Sequence, residues 1–301
     1  MNRNPLIRAL IAAALATVLA ACSPGDDTSS DGAAAGSSGP FPSTSTAPGE
    51  TPELTFPDAD PAPTLQIEVL TEGDGERVEA GDLLIVHYTG QVWGGEVFDS
   101  SFGDTPLAFL IGTGGVIRGW DEGLVGHATG SRVILTVPPE YGYGPDGNAA
   151  AGIDGSDTIA FVVDILGSYG AGDAAPSDAR PTGTETGPQV EGDLGSPATV
   201  TVPDGTPEPS EVTATVLATG PGEPVAAGGI VVQYAVTTWD NASAGSTWES
   251  GSAEAVQVGS GGDFDSLVGV PIGSRVLLEF PSPDGSSPAM AAVVDVLGQV
   301  S

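Results

Sequence analysis

Patterned sequence begins near Leu65. From there apolar and polar positions alternate in short runs, each bounded by Gly, Pro, Asp or Asn, which is the signature of strands. The runs are Thr64–Leu70, Asp82–Gln91, Leu107–Ile111, Arg132–Val137 and Thr158–Leu166. In the last of them Ile159, Phe161, Val163 and Ile165 share one face, and in the fourth Val133, Leu135 and Val137 do so. A period of two predicts half-buried strands of an antiparallel sheet. Only Arg118–Gly126 suits a short helix.

The pattern then repeats. Val212–Gln233 parallels Leu65–His87 and sets Tyr234 opposite Tyr88. Leu267-Val268-Gly269 followed by Gly273-Ser274-Arg275-Val276 matches Leu124-Val125-Gly126 followed by Gly130-Ser131-Arg132-Val133. Val293-Val294-Asp295-Val296-Leu297-Gly298 matches Val162-Val163-Asp164-Ile165-Leu166-Gly167. A diverged second copy of one fold is the expectation. Between and before the copies the sequence is rich in Ser, Thr, Gly, Pro and Asp. Residues 22–63 have too little apolar surface to offset their ordering entropy and read as a disordered tether, and 170–195 as a linker. The resulting division is 1–21 leader, 22–63 tether, 64–169 first domain, 170–195 linker and 196–301 second domain.

Charge narrows the partners. Seven Lys plus Arg stand against 40 Asp plus Glu, a formal net charge of −33, and no residue is lysine. Nucleic acid is excluded, since duplex binding needs cations to neutralise phosphates. The lone cysteine, Cys22, permits no internal disulfide. It follows a basic start (Arg3, Arg8), a short apolar run from Ala9 to Val18, and Leu19-Ala20-Ala21. The run is too short to span a bilayer and reads as an export signal. Leu-Ala-Ala-Cys resembles a bacterial lipobox, which implies lipid attachment (palmitate among the acyl chains) at Cys22. The expected location is the cell membrane, on its extracytoplasmic face. Two isolated histidines make no zinc site, Asp74-Gly75-Glu76 and Asp154-Gly155-Ser156-Asp157 read as turns, and no metal or cofactor is expected. His87 should point away from Tyr88 on its strand.

The chemistry-bearing positions lie between Val86 and Tyr143. Val86-His87-Tyr88-Thr89-Gly90, Phe98-Asp99-Ser100-Ser101, Val116-Ile117-Arg118-Gly119-Trp120 and Tyr141-Gly142-Tyr143-Gly144 follow in order. They gather rings around one apolar hollow with a carboxylate and a phenol, and no nucleophile–base pair accompanies them. This ordered set resembles the FK506-binding (FKBP) family of peptidyl-prolyl cis-trans isomerases, over roughly Thr64 to Ser168. The resemblance implies an α+β fold for each domain, a curved antiparallel sheet around one short helix. It implies Trp120 as pocket floor, with Tyr88, Phe98, Leu107, Val116, Ile117, Ile153 and Phe161 in the substrate-binding surface. Asp99 and Tyr143 take the catalytic roles: Tyr143 donates to a substrate carbonyl, the Ile117 N–H to another, and Asp99 sits near the twisting carbonyl. Proline-containing polypeptides are the implied clients and macrolides the implied inhibitors.

An X–Pro amide resists rotation by about 20 kcal/mol, and each tenfold acceleration takes about 1.4 kcal/mol of selective transition-state stabilisation. A dry cavity, a shape fitted to the twisted amide and hydrogen bonds to the flanking peptide supply this without proton transfer. Leu107 stands where the family often has an aromatic residue, and Ile153-Asp154 where Ile-Pro is usual, so the flap is expected to be more polar. In the second copy, Thr247-Trp248-Glu249-Ser250 is read against Phe98-Asp99-Ser100-Ser101 as a conservative change. About four residues are missing before Asp263-Phe264-Asp265, nothing in Phe280–Pro288 replaces Tyr143, and Ala292 replaces Phe161. That copy is expected to fold without isomerase activity. The function read from the sequence is isomerisation of X–Pro bonds in exported proteins; the rival is a peptide-holding lipoprotein with little turnover.

Overall fold

The computed structural model describes residues 40–182, 187–283, 285 and 287–300. The leader, Cys22 and the tether up to residue 39 lie outside the described residues. The first sheet is built from β1 (Gln66–Thr71), β2 (Leu83–Val92), β3 (Val97–Ser100), β4 (Leu107–Leu110), β5 (Arg132–Val137) and β6 (Ile159–Tyr169), with one short helix, α1 (Arg118–Gly123). All pairings are antiparallel, in the order β1-β5-β6-β2-β3, and β4 also pairs β2. The expected strands are present; β3, which carries Phe98 and Asp99, was not legible as one because four residues show too little alternation.

One face of this sheet curls around α1. Leu84, Val86, Val133, Leu135, Val137, Phe161, Val163 and Ile165 bury against Trp120 and Leu124. The helix lies so close to β5 that a Cβ on Gly123 would sit 2.5 Å from Leu135 Cδ2. A side chain there would have to displace Leu135, and glycine avoids that on this side of the helix.

Two expectations change. β5 is buried at all six positions, and β6 from Ile159 to Ile165, so neither strand is half-buried. The second face is covered by part of the segment read as a tether. Over residues 40–63 that segment is a strap: Ser43 bridges Thr55, Phe56 packs edge-on to Trp93 at 5.1 Å, and Trp93 Nε1 donates to the Ala59 carbonyl. It is pinned by a buried ion pair, in which Arg132 grips Asp164 through two hydrogen bonds of 2.6 and 2.8 Å. Arg132 also donates to the carbonyls of Ser45 and Glu50, and the Gly49 N–H donates to Asp164. A charge pair taken out of water needs its remaining hydrogen-bonding capacity filled, and the polar strap backbone fills it. Composition foretold disorder because the strap contributes main-chain groups, which composition does not register.

The second sheet repeats this arrangement. Segment 170–195 contributes β7 (Arg180–Pro181) and β8 (Gln189–Glu191), and β9 (Thr199–Thr201) follows. Then come β10 (Thr213–Thr219), β11 (Gly228–Thr238), β12 (Ala244–Ser246), the four-residue helix α2 (Thr247–Ser250), β13 (Glu254–Val258), β14 (Arg275–Phe280) and β15 (Met290–Val300). The order β12-β11-β15-β14-β10-β7, with β13 on β11, matches the first sheet strand for strand apart from the added β7. Even the irregularities recur: register slips between Val69 and Thr71 against β5, and between Val216 and Ala218 against β14. Arg275 holds Asp295 at 2.7 and 2.8 Å and donates to the carbonyls of Gly192 and Ser196, while the Ala175 N–H donates to Asp295. The stretch read as a free linker is therefore, in its described residues, a second strap. The β8–β9 hairpin adds Val200 to an outer cluster with Trp239, Leu277 and Val293.

The sheets meet through Leu83 and Ile85 of β2 and Val231 and Val300 of β11 and β15, with Tyr169 packed against them. Gly298 admits the Tyr169 ring: a Cβ there would fall 2.0 Å from its hydroxyl.

Candidate active site

Gly90 makes the hollow. It faces Asp99 across β2–β3 and Phe161 across β2–β6. A Cβ at this position would come within 2.5 Å of Phe98 and 2.8 Å of Phe161. Its absence lets both rings stand side by side, edge to face at 5.7 Å. Trp120, buried in α1, closes the bottom at 5.1 Å from both Phe161 and Tyr88, each near perpendicular. Its indole N–H finds no acceptor among the described residues, so the floor keeps a donor unfilled by the protein.

These rings open onto a cavity of about 520 Å³ lined by Tyr88, Phe98, Asp99, Leu107, Gly115, Val116, Ile117, Arg118, Trp120, Gly142, Tyr143 and Phe161. The volume suits a small-molecule or peptide ligand site. At its edge the Tyr88 hydroxyl donates to Asp99 Oδ2. Burial, reinforced by that hydrogen bond and the Asp99 charge, pushes the Tyr88 phenol far above its ordinary range, so it stays a donor. The carboxylate is thereby oriented by a protonated phenol and has lone pairs to spare. Ile117 precedes α1; its carbonyl accepts from the Trp120 and Asp121 N–H groups. Tyr143 sits between two single 3-10 turns, Pro139–Tyr141 and Gly144–Asp146, in the connection from β5 to β6.

Every residue expected at the pocket lies on this cavity except Ile153. That side chain is 3% exposed within the core cluster, and its main chain pairs with Asn148. The flap folds back on itself through this bridge and draws Ile153 under the surface. Other contributors escaped the sequence reading. Phe109 lies two residues beyond Leu107 on the same face of β4 and packs on Trp120 at 5.4 Å, supplying a ring beside the thin wall. Arg118 reaches the rim, hydrogen-bonded to Glu122 at 2.5 Å, 3.8 Å from Glu140 and stacked over the Tyr141 ring at 4.5 Å. Asp121 accepts from the N–H groups of Gly112 and Gly114, both at 2.7 Å, and so fixes the loop that leads into Val116 and Ile117. The signal for Phe109 was its spacing from Leu107; Asp121 had none, because a carboxylate that ties a loop looks like any surface acid. His87 does point to the other face, where it meets Ser101 Oγ at 3.1 Å and stacks on Phe102.

The cavity thus offers apolar walls for a ring, with the Asp99 carboxylate and the Tyr143 phenol on its lining. A family model for FKBP-type peptidyl-prolyl cis-trans isomerases matches residues 74–166. The chain is 40% identical over 119 residues to an FK506-binding protein of Streptomyces anulatus, covering 96% of that protein and 39% of this chain. The chain belongs to the FKBP-type peptidyl-prolyl cis-trans isomerase family. It is also 41% identical over 102 residues to FK506-binding protein 1A of Aspergillus fumigatus, covering 90% of it and 33% of this chain. With the peptidyl-prolyl cis-trans isomerase FKBP1A of Xenopus laevis it shares 39% identity over 104 residues, 95% of that protein and 34% of this chain. The matched residues 74–166 take in α1, the strands from β2 to β5 and most of β6, and the cavity beside Gly90 lies among them.

Proposed function

We propose that this FKBP-type isomerase acts on exported polypeptides from a lipid anchor at Cys22, and that its second sheet is a diverged copy that has lost turnover. At the first site the prolyl ring enters over Trp120, between Tyr88, Phe98 and Phe161. A twisted amide, having lost resonance, is less polar than a planar one, so the apolar walls favour it. The Tyr143 hydroxyl and the Ile117 N–H hold two carbonyls of the flanking peptide, which confines rotation to one bond. Asp99, oriented by Tyr88, faces the turning carbonyl carbon. No proton changes hands.

The observation that carries this reading is the joint placement of Asp99, Ile117, Trp120 and Tyr143 on one cavity. A coupled proline-tetrapeptide assay on the full chain tests it. Turnover is expected, with competition by a macrolide, and a marked fall in Tyr143→Phe and Asp99→Leu while folding is retained. A wild-type chain without turnover that still suppresses aggregation would favour the peptide-holding lipoprotein instead. For the anchor, Cys22→Ser is expected to release the protein from cells; equal retention overturns that part alone.

The second copy's loss of turnover is supported by three replacements. Val236 stands where Gly90 stood and Ala292 where Phe161 stood, as their shared pairing shows. The Thr247 hydroxyl accepts from the Tyr234 N–H as Ser101 does from Tyr88, which aligns Ala244-Gly245 with Phe98-Asp99. The reading of Thr247–Ser250 against Phe98–Ser101 is thereby corrected: a shift of three residues sets Gly245, which has no carboxylate, at the Asp99 place. The loop from Gly261 to Asp265, bonded as Gly114 is to Asp121, spans 4 positions instead of 7 and lacks the Val116–Arg118 segment.

A further inference from the structure

The second sheet encloses a cavity of its own. It measures about 200 Å³ and is lined mainly by apolar groups: Tyr234, Val236, Phe264, Phe280, Met290 and Ala292, with Val212 and two prolines at the rim. Phe264 takes the floor, its ring 6.1 Å from that of Tyr234. Among the described residues the only charged lining residue is Asp263, whose carboxyl is pushed up by burial. The phenol–carboxylate pair of the first site is present again, from a different strand. The Tyr234 hydroxyl donates to Glu254 Oε2 at 3.1 Å, and Glu254 faces Val232 as Leu107 faces Val86. Burial, then Glu254, pushes the Tyr234 phenol up as Tyr88 is pushed up.

The contents define a ligand. At about 200 Å³ the space falls below the ~300–1,000 Å³ of drug-sized sites and has room for one large apolar side chain. A half-buried carboxylate beside such a space is short of a cation, and among the described residues no cationic side chain lines it. Arg275 is consumed by Asp295, and the chain as a whole is at −33. A neutral or acidic peptide leaves Asp263 desolvated and unpaired, whereas a basic neighbour pairs it. Resting on the reading of the second sheet as a diverged copy that has lost turnover, we propose that this cavity is a second, non-catalytic peptide site that takes a large apolar side chain next to a Lys or Arg. It holds a client by a segment that need contain no proline, while the first site turns X–Pro bonds elsewhere in the same chain.

The test is a titration of the labelled full chain with two proline-free peptides, Ala-Ala-Phe-Arg-Ala-Ala and Ala-Ala-Phe-Glu-Ala-Ala, followed by amide shifts in NMR spectra. The arginine peptide should shift Val212, Asp263 and Phe264 and leave Gly142 and Tyr143 unmoved. The glutamate peptide should bind at least about fivefold more weakly, and added salt should narrow the gap. Asp263→Asn should remove most of the preference for arginine. Val212→Ser, at an exposed rim position, should weaken both peptides without disturbing the core. Neither variant should change turnover of a proline tetrapeptide. Shifts confined to the first site, no shift at all, or equal affinity for both peptides overturns the proposal. Absence of tetrapeptide turnover in the wild type would count against the isomerase reading alone, since the titration reads the second cavity independently.

Discussion

The two sheets share strand order, register slips and a buried Arg–Asp pair, yet one encloses a cavity of about 520 Å³ and the other about 200 Å³. The framework is set by positions on the strap-covered face, Arg132 with Asp164 and Arg275 with Asp295. The site is set by the opposite face and its loops, where Gly90 becomes Val236, Phe161 becomes Ala292 and residues 138–158 shrink to 281–289. Fold and chemistry are therefore held by different faces of the same strands. One can decay while the other persists, because side chains on alternate positions of a strand do not share neighbours.

The sharpest way to break this comparison is to attack the shared half. Arg132→Met and Arg275→Met each strand a buried carboxylate, and each should destabilise its own sheet by about 3–5 kcal/mol in urea denaturation. A loss confined to the first sheet would mean that the two frameworks are not equivalent. Trp120→Ala should also cost about 3–5 kcal/mol, so its loss of turnover is informative only beside a stability measurement. Removing residues 40–63 deprives Arg132 and Asp164 of strap partners, with several hydrogen bonds to charged groups at about 1.5–3 kcal/mol each. An unchanged denaturation midpoint in that truncation would show the strap to be dispensable.

Smaller effects test the divergent half. Gly90→Val imports the second sheet's residue into the first. It should push Phe98 and Phe161 apart and lower kcat/KM about 10- to 100-fold, equivalent to about 1.4–2.8 kcal/mol. Retained activity would show that the wall has room to give. The pH dependence should be the mildest signal. Burial and Asp99 raise the Tyr88 pKa, so the folded state keeps a proton that the unfolded chain loses near pH ~10. Stability from this pair is complete below that ordinary value and is lost only as pH rises through the raised one. The Tyr88 ring signals in NMR spectra should accordingly show no titration as pH climbs through the usual tyrosine range, and a titration there would overturn the raised value.

The core of each sheet could be read from alternation and from the internal repeat, because both are local. The ring cage at Tyr88, Phe98, Trp120 and Phe161 could be read from ordered motifs through their resemblance to the FKBP family. Ile153 could not, because a bridge to Asn148 turns its side chain inward. Nor could the alignment of Ala244-Gly245 with Phe98-Asp99, which rests on a hydroxyl–amide bond and not on residue similarity.

By itself the chain determined antiparallel sheets with a repeated strand pattern and a ring-lined hollow in the first of them. Only the tertiary structure decided that residues 40–63 and much of 170–195 are straps. Their role rests on main-chain carbonyls and N–H groups meeting the buried pairs Arg132–Asp164 and Arg275–Asp295. Every residue carries those groups alike, so no pattern of side chains announces where they will be used.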